Sequence, residues 1–178
     1  MNNNAWESSS VMLDNDSIVN ILEELNSELA KRDKHLDITI YGGSSLCLLT
    51  TFRESTYDID TLSSDNELLR DCLKSIGITG DLVNTEIDSF LNTNEDLKVY
   101  KEYSNLTVKL PSLEYLTALK CRACREKDLD DLIHLKKLLN IKSLKELRSI
   151  FIRFYSPIMF NSRRIKVLDK IFKIGEGK

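Results

Sequence analysis

Two aspartates one residue apart, Asp58 and Asp60, stand in the segment Tyr57-Asp58-Ile59-Asp60-Thr61-Leu62. On a strand, alternation sends both carboxylates to one face and Ile59 to the other, about 7 Å apart along the chain. Like charges held together in a partly buried place repel, and a divalent cation relieves that repulsion. Hard oxygen donors of this kind suit magnesium or manganese, which can in turn hold the phosphates of a nucleotide. Two such ions roughly 3.5 to 4 Å apart stabilise both the attacking and the leaving oxygen of an in-line displacement. The other reading of a D-x-D is an edge strand with two solvated carboxylates. About fifteen residues upstream, Gly42-Gly43-Ser44-Ser45 follows a β-prone run and opens a helical one. A helix start presents backbone N–H groups to an anion, glycines let a phosphate approach closely, and a serine hydroxyl adds a donor. Without a ligand, the same residues make a tight strand-to-helix turn. Between the two motifs, Arg53 is placed either to reach a phosphate or to pair with an aspartate.

These side chains need a frame, and the hydrophobic periodicity supplies one. Asp16 or Ser17 can cap a helix on which Ile18, Ile21, Leu22, Leu25 and Leu29 recur at three and four, running to about residue 32. Residues 37–41 predict a short strand ended by Gly42-Gly43, and residues 44–51 a short helix. Residues 57–62 read as a second strand, and residues 66–76 as a helix with Leu68, Leu69, Leu73 and Ile76 on its apolar side. Residues 77–96 carry mixed signals, with breaks at Gly80-Asp81 and Asn92-Thr93-Asn94 and a short element over 82–91. Residues 97–103 and 106–110 predict a hairpin turning at Ser104-Asn105. From Pro111-Ser112 onward the pattern is helical, through Leu113, Leu116 and Leu119, then Leu129, Leu132 and Leu135, then residues 143–155 and 161–174. The fold class expected is α+β: a small mixed sheet with flanking helices over residues 1–110 and a C-terminal helical portion over 111–178, together one compact unit.

The combination of Gly42-Gly43-Ser44, Arg53, Thr56 and Asp58-Ile59-Asp60 resembles the glycine-serine and D-x-D motifs of the polymerase-beta-like nucleotidyltransferase superfamily. The later segments Glu114-Tyr115-Leu116-Thr117-Ala118-Leu119-Lys120 and Arg125-Glu126-Lys127-Asp128-Leu129-Asp130-Asp131-Leu132 are similar to the K and R-x-x-D motifs of its AbiEii-like toxin branch and related small members. The likeness covers roughly residues 35–140. It implies a nucleotidyltransferase that moves a nucleoside monophosphate from a nucleoside triphosphate to an acceptor, either tRNA or another RNA or a protein. It implies magnesium or manganese at Asp58 and Asp60, and Gly42, Gly43, Ser44 and Arg53 at the nucleotide. Lys120 and Asp128 would complete the site. It also implies the toxin half of a toxin-antitoxin pair, with an antitoxin protein as partner. Many members of the superfamily bring a third carboxylate on a neighbouring strand. Here no clean strand carries one, and Glu86 and Asp88 lie in the mixed segment. A second reading is therefore a non-catalytic module that binds a nucleotide or a partner through a degenerate site. On an unbroken helix, positions 120, 124, 128 and 131 share one side, so Lys120, Asp128 and Asp131 could face the same cleft. The alternative is a solvated helix face with intrahelical ion pairs.

The totals limit the classes open to the chain. A chain of 178 residues with 42% hydrophobic and 30% charged residues is long enough and apolar enough for one well-filled core. No run approaches the roughly 20 apolar residues needed to span a bilayer, and the opening MNNNAWESSS lacks the basic and apolar regions of a signal peptide. The expectation is a cytoplasmic protein without a membrane partner. The net charge of -3 hides an asymmetry, because residues 136–178 carry twelve Lys and Arg against three Asp and Glu. Lys142, Lys145, Arg148, Arg153, Arg163, Arg164 and Lys166 either offer a polyanion such as tRNA a surface or only solubilise the helices. Cys121 and Cys124 form a C-x-x-C, but no second pair accompanies them and the two histidines lack zinc-finger spacing, so they read as small helix residues.

Overall fold

The computed structural model describes residues 12–78, 82–85, 87, 91 and 95–173. The chain divides into a sheet unit, Met1–Ser89 with Leu97–Pro111, and a helical unit, Phe90–Asp96 with Ser112–Lys178.

In the sheet unit, α1 (Asn15–Lys31) buries Ile18, Ile21, Leu22, Leu25 and Leu29, the positions that the three-and-four spacing marks. Its cap is Asp14 rather than Asp16 or Ser17, because the Asp14 carboxylate reaches the Ser17 N–H at 2.9 Å and so occupies one of the helix's unpaired donors. The strand β1 (Leu36–Tyr41) leads directly into α2 (Gly42–Leu49). The two glycines thus lie inside the first turn of the helix rather than before it. The elements β2 (Ile59–Ser63), α3 (Asn66–Ser75), β3 (Val83–Asn84), β4 (Leu97–Glu102) and β5 (Leu106–Pro111) complete the unit. The sheet order is β3-β2-β1-β5-β4. β1 runs antiparallel to β2 and parallel to β5, β3 is parallel to β2, and β4 is antiparallel to β5. With neighbours on both sides, β1 is buried almost throughout, as its apolar composition requires. Its residues Ile38 and Ile40 join the α1 stripe, Cys47, Leu48, Ile59, Leu69, Leu106 and Val108 in the core.

β2 starts two residues later than the strand read over 57–62. The last ladder pair is Tyr41↔Asp60, and beyond Tyr41 the chain turns away into α2, so Tyr57 and Asp58 have no β1 residue to pair with. Of the segment 77–96, only Val83–Asn84 forms a strand among the described residues. Gly80, Asp81, Glu86, Asp88 and Asn92-Thr93-Asn94 lie outside them.

The helical unit holds α4 (Leu113–Ala123), capped by Ser112, a 3₁₀ turn at Glu126–Asp128, α5 (Leu129–Leu138) and α6 (Leu144–Phe154), capped by Ser143. A second 3₁₀ turn (Pro157–Met159), α7 (Ser162–Leu168) and α8 (Lys170–Lys173) follow. The helix read over 161–174 is thus two short ones that meet at Asp169, a poor residue for a helix interior. An aromatic cluster forms the core, with Tyr115 and Phe154 ring centroids 4.9 Å apart and Phe151 and Phe160 5.3 Å apart.

Candidate nucleotide site

The register of the sheet brings the first motif together. Tyr41 lies opposite Asp60 in the β1–β2 ladder, and the next residue, Gly42, begins α2. Gly42 takes φ +65°, a conformation in which a Cβ is strained. A Cβ built there would also collide with Asp60 Oδ2. At Gly43 a Cβ would come to 2.6 Å from Thr56 Oγ1 and 3.2 Å from Arg53 Nη2. The glycine turn is therefore wedged between the Asp60 carboxylate and the Arg53–Thr56 pair, and only glycines leave room for both. Thr56 is itself fixed, being buried and bridged in both backbone directions to Leu13. Arg53 donates from Nε to the Ser55 carbonyl at 2.9 Å, which orients its guanidinium.

No side chain caps the start of α2, whose residue before the first turn is Tyr41. The two serine hydroxyls turn back to carbonyls instead: Ser44 donates to Tyr41 O at 2.9 Å and Ser45 to Gly42 O at 3.0 Å. Ser44 is fully buried, so what this helix start offers an anion is backbone N–H rather than the Ser44 hydroxyl. Asp60 is half-buried and its Oδ1 accepts from Asn84 Nδ2 at 3.0 Å. Asp58 is exposed, just ahead of β2. Two hard carboxylates fit magnesium or manganese, which take one or two protein carboxylates and complete their shell with water and substrate phosphates. Among the described residues, no three or more His, Cys, Asp or Glu gather as a metal cage.

The second motif is assembled within the helical unit, and not on one continuous helix. α4 ends at Ala123, its C-cap Cys124 adopts the left-handed conformation at φ 52°, and the chain passes into the 3₁₀ turn and α5. The turn still unites the three charges: Lys120 Nζ lies 3.3 Å from Asp128 Oδ1 and 2.7 Å from Asp131 Oδ2. Arg125 adds its Nε at 2.8 Å from Asp128 Oδ2 and its backbone N–H at 3.3 Å from the same oxygen. Lys120, Asp128 and Asp131 are all buried. Burial alone pushes the Asp128 carboxyl up. The Arg125 hydrogen bond and the Lys120 and Arg125 charges together outweigh it and hold the group below the ordinary carboxylate range. This is a packed ion-pair cluster that ties α4 to α5, rather than a solvated helix face.

Cys121 is buried inside α4. In the basic end, Arg164 is committed to structure, donating to the Arg122 carbonyl at 2.8 Å and to the Met159 carbonyl at 2.6 Å. Arg153 lies over the Phe154 ring and is exposed, as are Lys142, Lys145, Arg148, Arg163 and Lys166.

A family model described as "Nucleotidyltransferase of unknown function (DUF6036)" matches residues 16–173. The chain belongs to this family. Nothing significant matches among curated proteins or solved structures. The DUF6036 match takes in both motifs, from α1 through the glycine turn and the Asp58–Asp60 pair to the Lys120 cluster and α8. The mixed five-stranded sheet flanked by helices and followed by helices is consistent with a nucleotidyltransferase-like fold. Among the residues at the site, Asn84 is one that sequence reasoning did not single out. A two-residue strand has no periodicity to reveal it. Arg125 was visible, through the R-x-x-D spacing that its ion pair with Asp128 uses.

Proposed function

We propose that this member of the nucleotidyltransferase family transfers a nucleoside monophosphate from a nucleoside triphosphate to an acceptor hydroxyl at the glycine turn. The observation that carries the reading is the packing of Gly42 and Gly43 between Asp60 on one side and Arg53 with Thr56 on the other. A turn so tightly fitted to a carboxylate and a guanidinium suits a ligand that is at once phosphate and metal-bound. The acceptor oxygen forms a bond to the α-phosphorus, the bond from that phosphorus to the pyrophosphate oxygen breaks, and the acceptor proton passes to solvent.

In this reading Asp58 and Asp60 hold magnesium or manganese, which when bound neutralises phosphate charge and stabilises the leaving pyrophosphate. The backbone N–H groups at the start of α2 bind phosphate oxygens, and the orientation of Arg53 by Ser55 prepares its guanidinium for the same anion. Rate comes mainly from positioning and charge neutralisation, so the rigidity of the turn matters more than any proton shuttle. The assignment of Lys120 and Asp128 to the reaction rests on the resemblance to the toxin-like branch, as do an RNA or protein acceptor and an antitoxin partner.

Titration calorimetry with each nucleoside triphosphate, in magnesium and in chelator, tests the proposal together with a pyrophosphate-release assay. Metal-dependent binding accompanied by release supports transfer. Binding without release identifies a nucleotide-binding module, and growth arrest on expression that disappears with Asp60→Ala supports the toxin role.

A further inference from the structure

β3 contributes only Val83 and Asn84, and the ladder sets Val83 opposite Ile59 and Asn84 opposite Asp60. Val83 and Ile59 are both buried in the sheet core. Alternation therefore turns Asn84 to the face that carries the Asp60 carboxylate, and its Nδ2 donates to Asp60 Oδ1 at 3.0 Å. We propose that Asn84 is a positioning residue for the metal-binding carboxylate of Asp60. It takes, with a neutral amide, the strand position from which a further carboxylate would reach the same ion. The inference rests on the nucleotidyl-transfer reading of the site.

The amide has two effects. Its N–H bond to Oδ1 restricts the side-chain torsion, so that Oδ2 stays against the Gly42 turn. It also adds no charge. A carboxylate in place of the amide would stand about as close to Asp60 as the amide does now, and two carboxylates at that separation repel unless a cation lies between them. The chain should accordingly keep its fold without metal and bind the ion through a carboxylate oriented in advance. Partners of this kind, which hydrogen-bond a ligating group, typically account for about 10- to 100-fold in metal affinity.

The test uses the full chain with Mn2+ as probe, followed by electron paramagnetic resonance and by thermal unfolding with and without the ion. Wild type, Asp60→Ala, Asn84→Ala and Asn84→Asp are compared. The expected result is loss of binding in Asp60→Ala and binding about 10- to 100-fold weaker in Asn84→Ala. Asn84→Asp should bind more tightly than wild type and melt lower than wild type only when the ion is absent. Wild-type affinity in Asn84→Ala, or a fall in melting temperature that is equal with and without Mn2+, overturns the positioning role and leaves the site reading standing. Absence of Mn2+ binding in wild type, or its persistence in Asp60→Ala, overturns the site reading and this inference with it.

Discussion

Replacing Gly42 with alanine perturbs the proposed centre at the point where backbone and carboxylate are most tightly coupled. Two costs can be separated. A side chain at φ +65° is strained by about 1–2 kcal/mol. The new Cβ also occupies the space of Asp60 Oδ2, so the carboxylate must swing away and give up its hydrogen bond from Asn84, a charged interaction of about 1.5–3 kcal/mol. Gly42→Ala should therefore destabilise the chain by about 2.5–5 kcal/mol in urea unfolding. In an Asp60→Ala background, where the colliding group is gone, the same substitution should cost only the backbone strain of about 1–2 kcal/mol. The double-mutant cycle thus has a predicted coupling of about 1.5–3 kcal/mol. Costs that add within about 0.5 kcal/mol would show that Gly42 and Asp60 do not share this space, and would refute the reasoning.

Other substitutions probe the charges. Lys120→Met leaves Asp128 and Asp131 buried with a cation removed, and should cost about 3–5 kcal/mol of stability by urea unfolding, far more than an exposed lysine would. The Asp128 carboxyl titrates below its ordinary value of 3.8 in the folded chain, so its contribution is fully present well above that value and is lost as pH falls through the depressed one. Stability measured from pH 6 to pH 3 should fall less steeply in Asp128→Asn than in wild type. If an RNA is the acceptor, its affinity should drop with salt by a log-log slope of roughly -0.7 per neutralised phosphate. Arg163→Glu with Lys166→Glu should flatten that slope without unfolding the chain, because both residues are exposed, whereas Arg164 is tied to two carbonyls. A flat response in wild type would leave the basic end as surface only.

How much of this was legible in the sequence depends on whether the signal was periodic or tertiary. The stripe of α1 and the β4–β5 hairpin follow from hydrophobic spacing, and the α+β order with a helical end follows from them, whereas the α1 cap falls on Asp14 and not on the Asp16 or Ser17 that the spacing suggests. The start of β2 was read two residues early because alternation continues through Tyr57 and Asp58, while the partner strand that would pair them has already turned into α2. Lys120, Asp128 and Asp131 do share a cluster. The cause is the helix end at Cys124, a non-glycine residue in the left-handed region that no sequence pattern announces. Ser44 reads as a phosphate donor by type and position, and that its hydroxyl donates to the Tyr41 carbonyl from a buried site is a tertiary fact that spacing does not carry. Asn84 carried no signal of its own, because its importance comes entirely from the register that sets it across from Asp60.

The most direct measurement is transfer of α-phosphate-labelled nucleoside triphosphates to total cellular RNA and protein by the purified chain, run beside Asp60→Ala in magnesium buffer. Label should enter one acceptor class with wild type and fall by more than about 100-fold with Asp60→Ala, while circular dichroism shows the variant still folded. Equal labelling by wild type and Asp60→Ala would contradict the account.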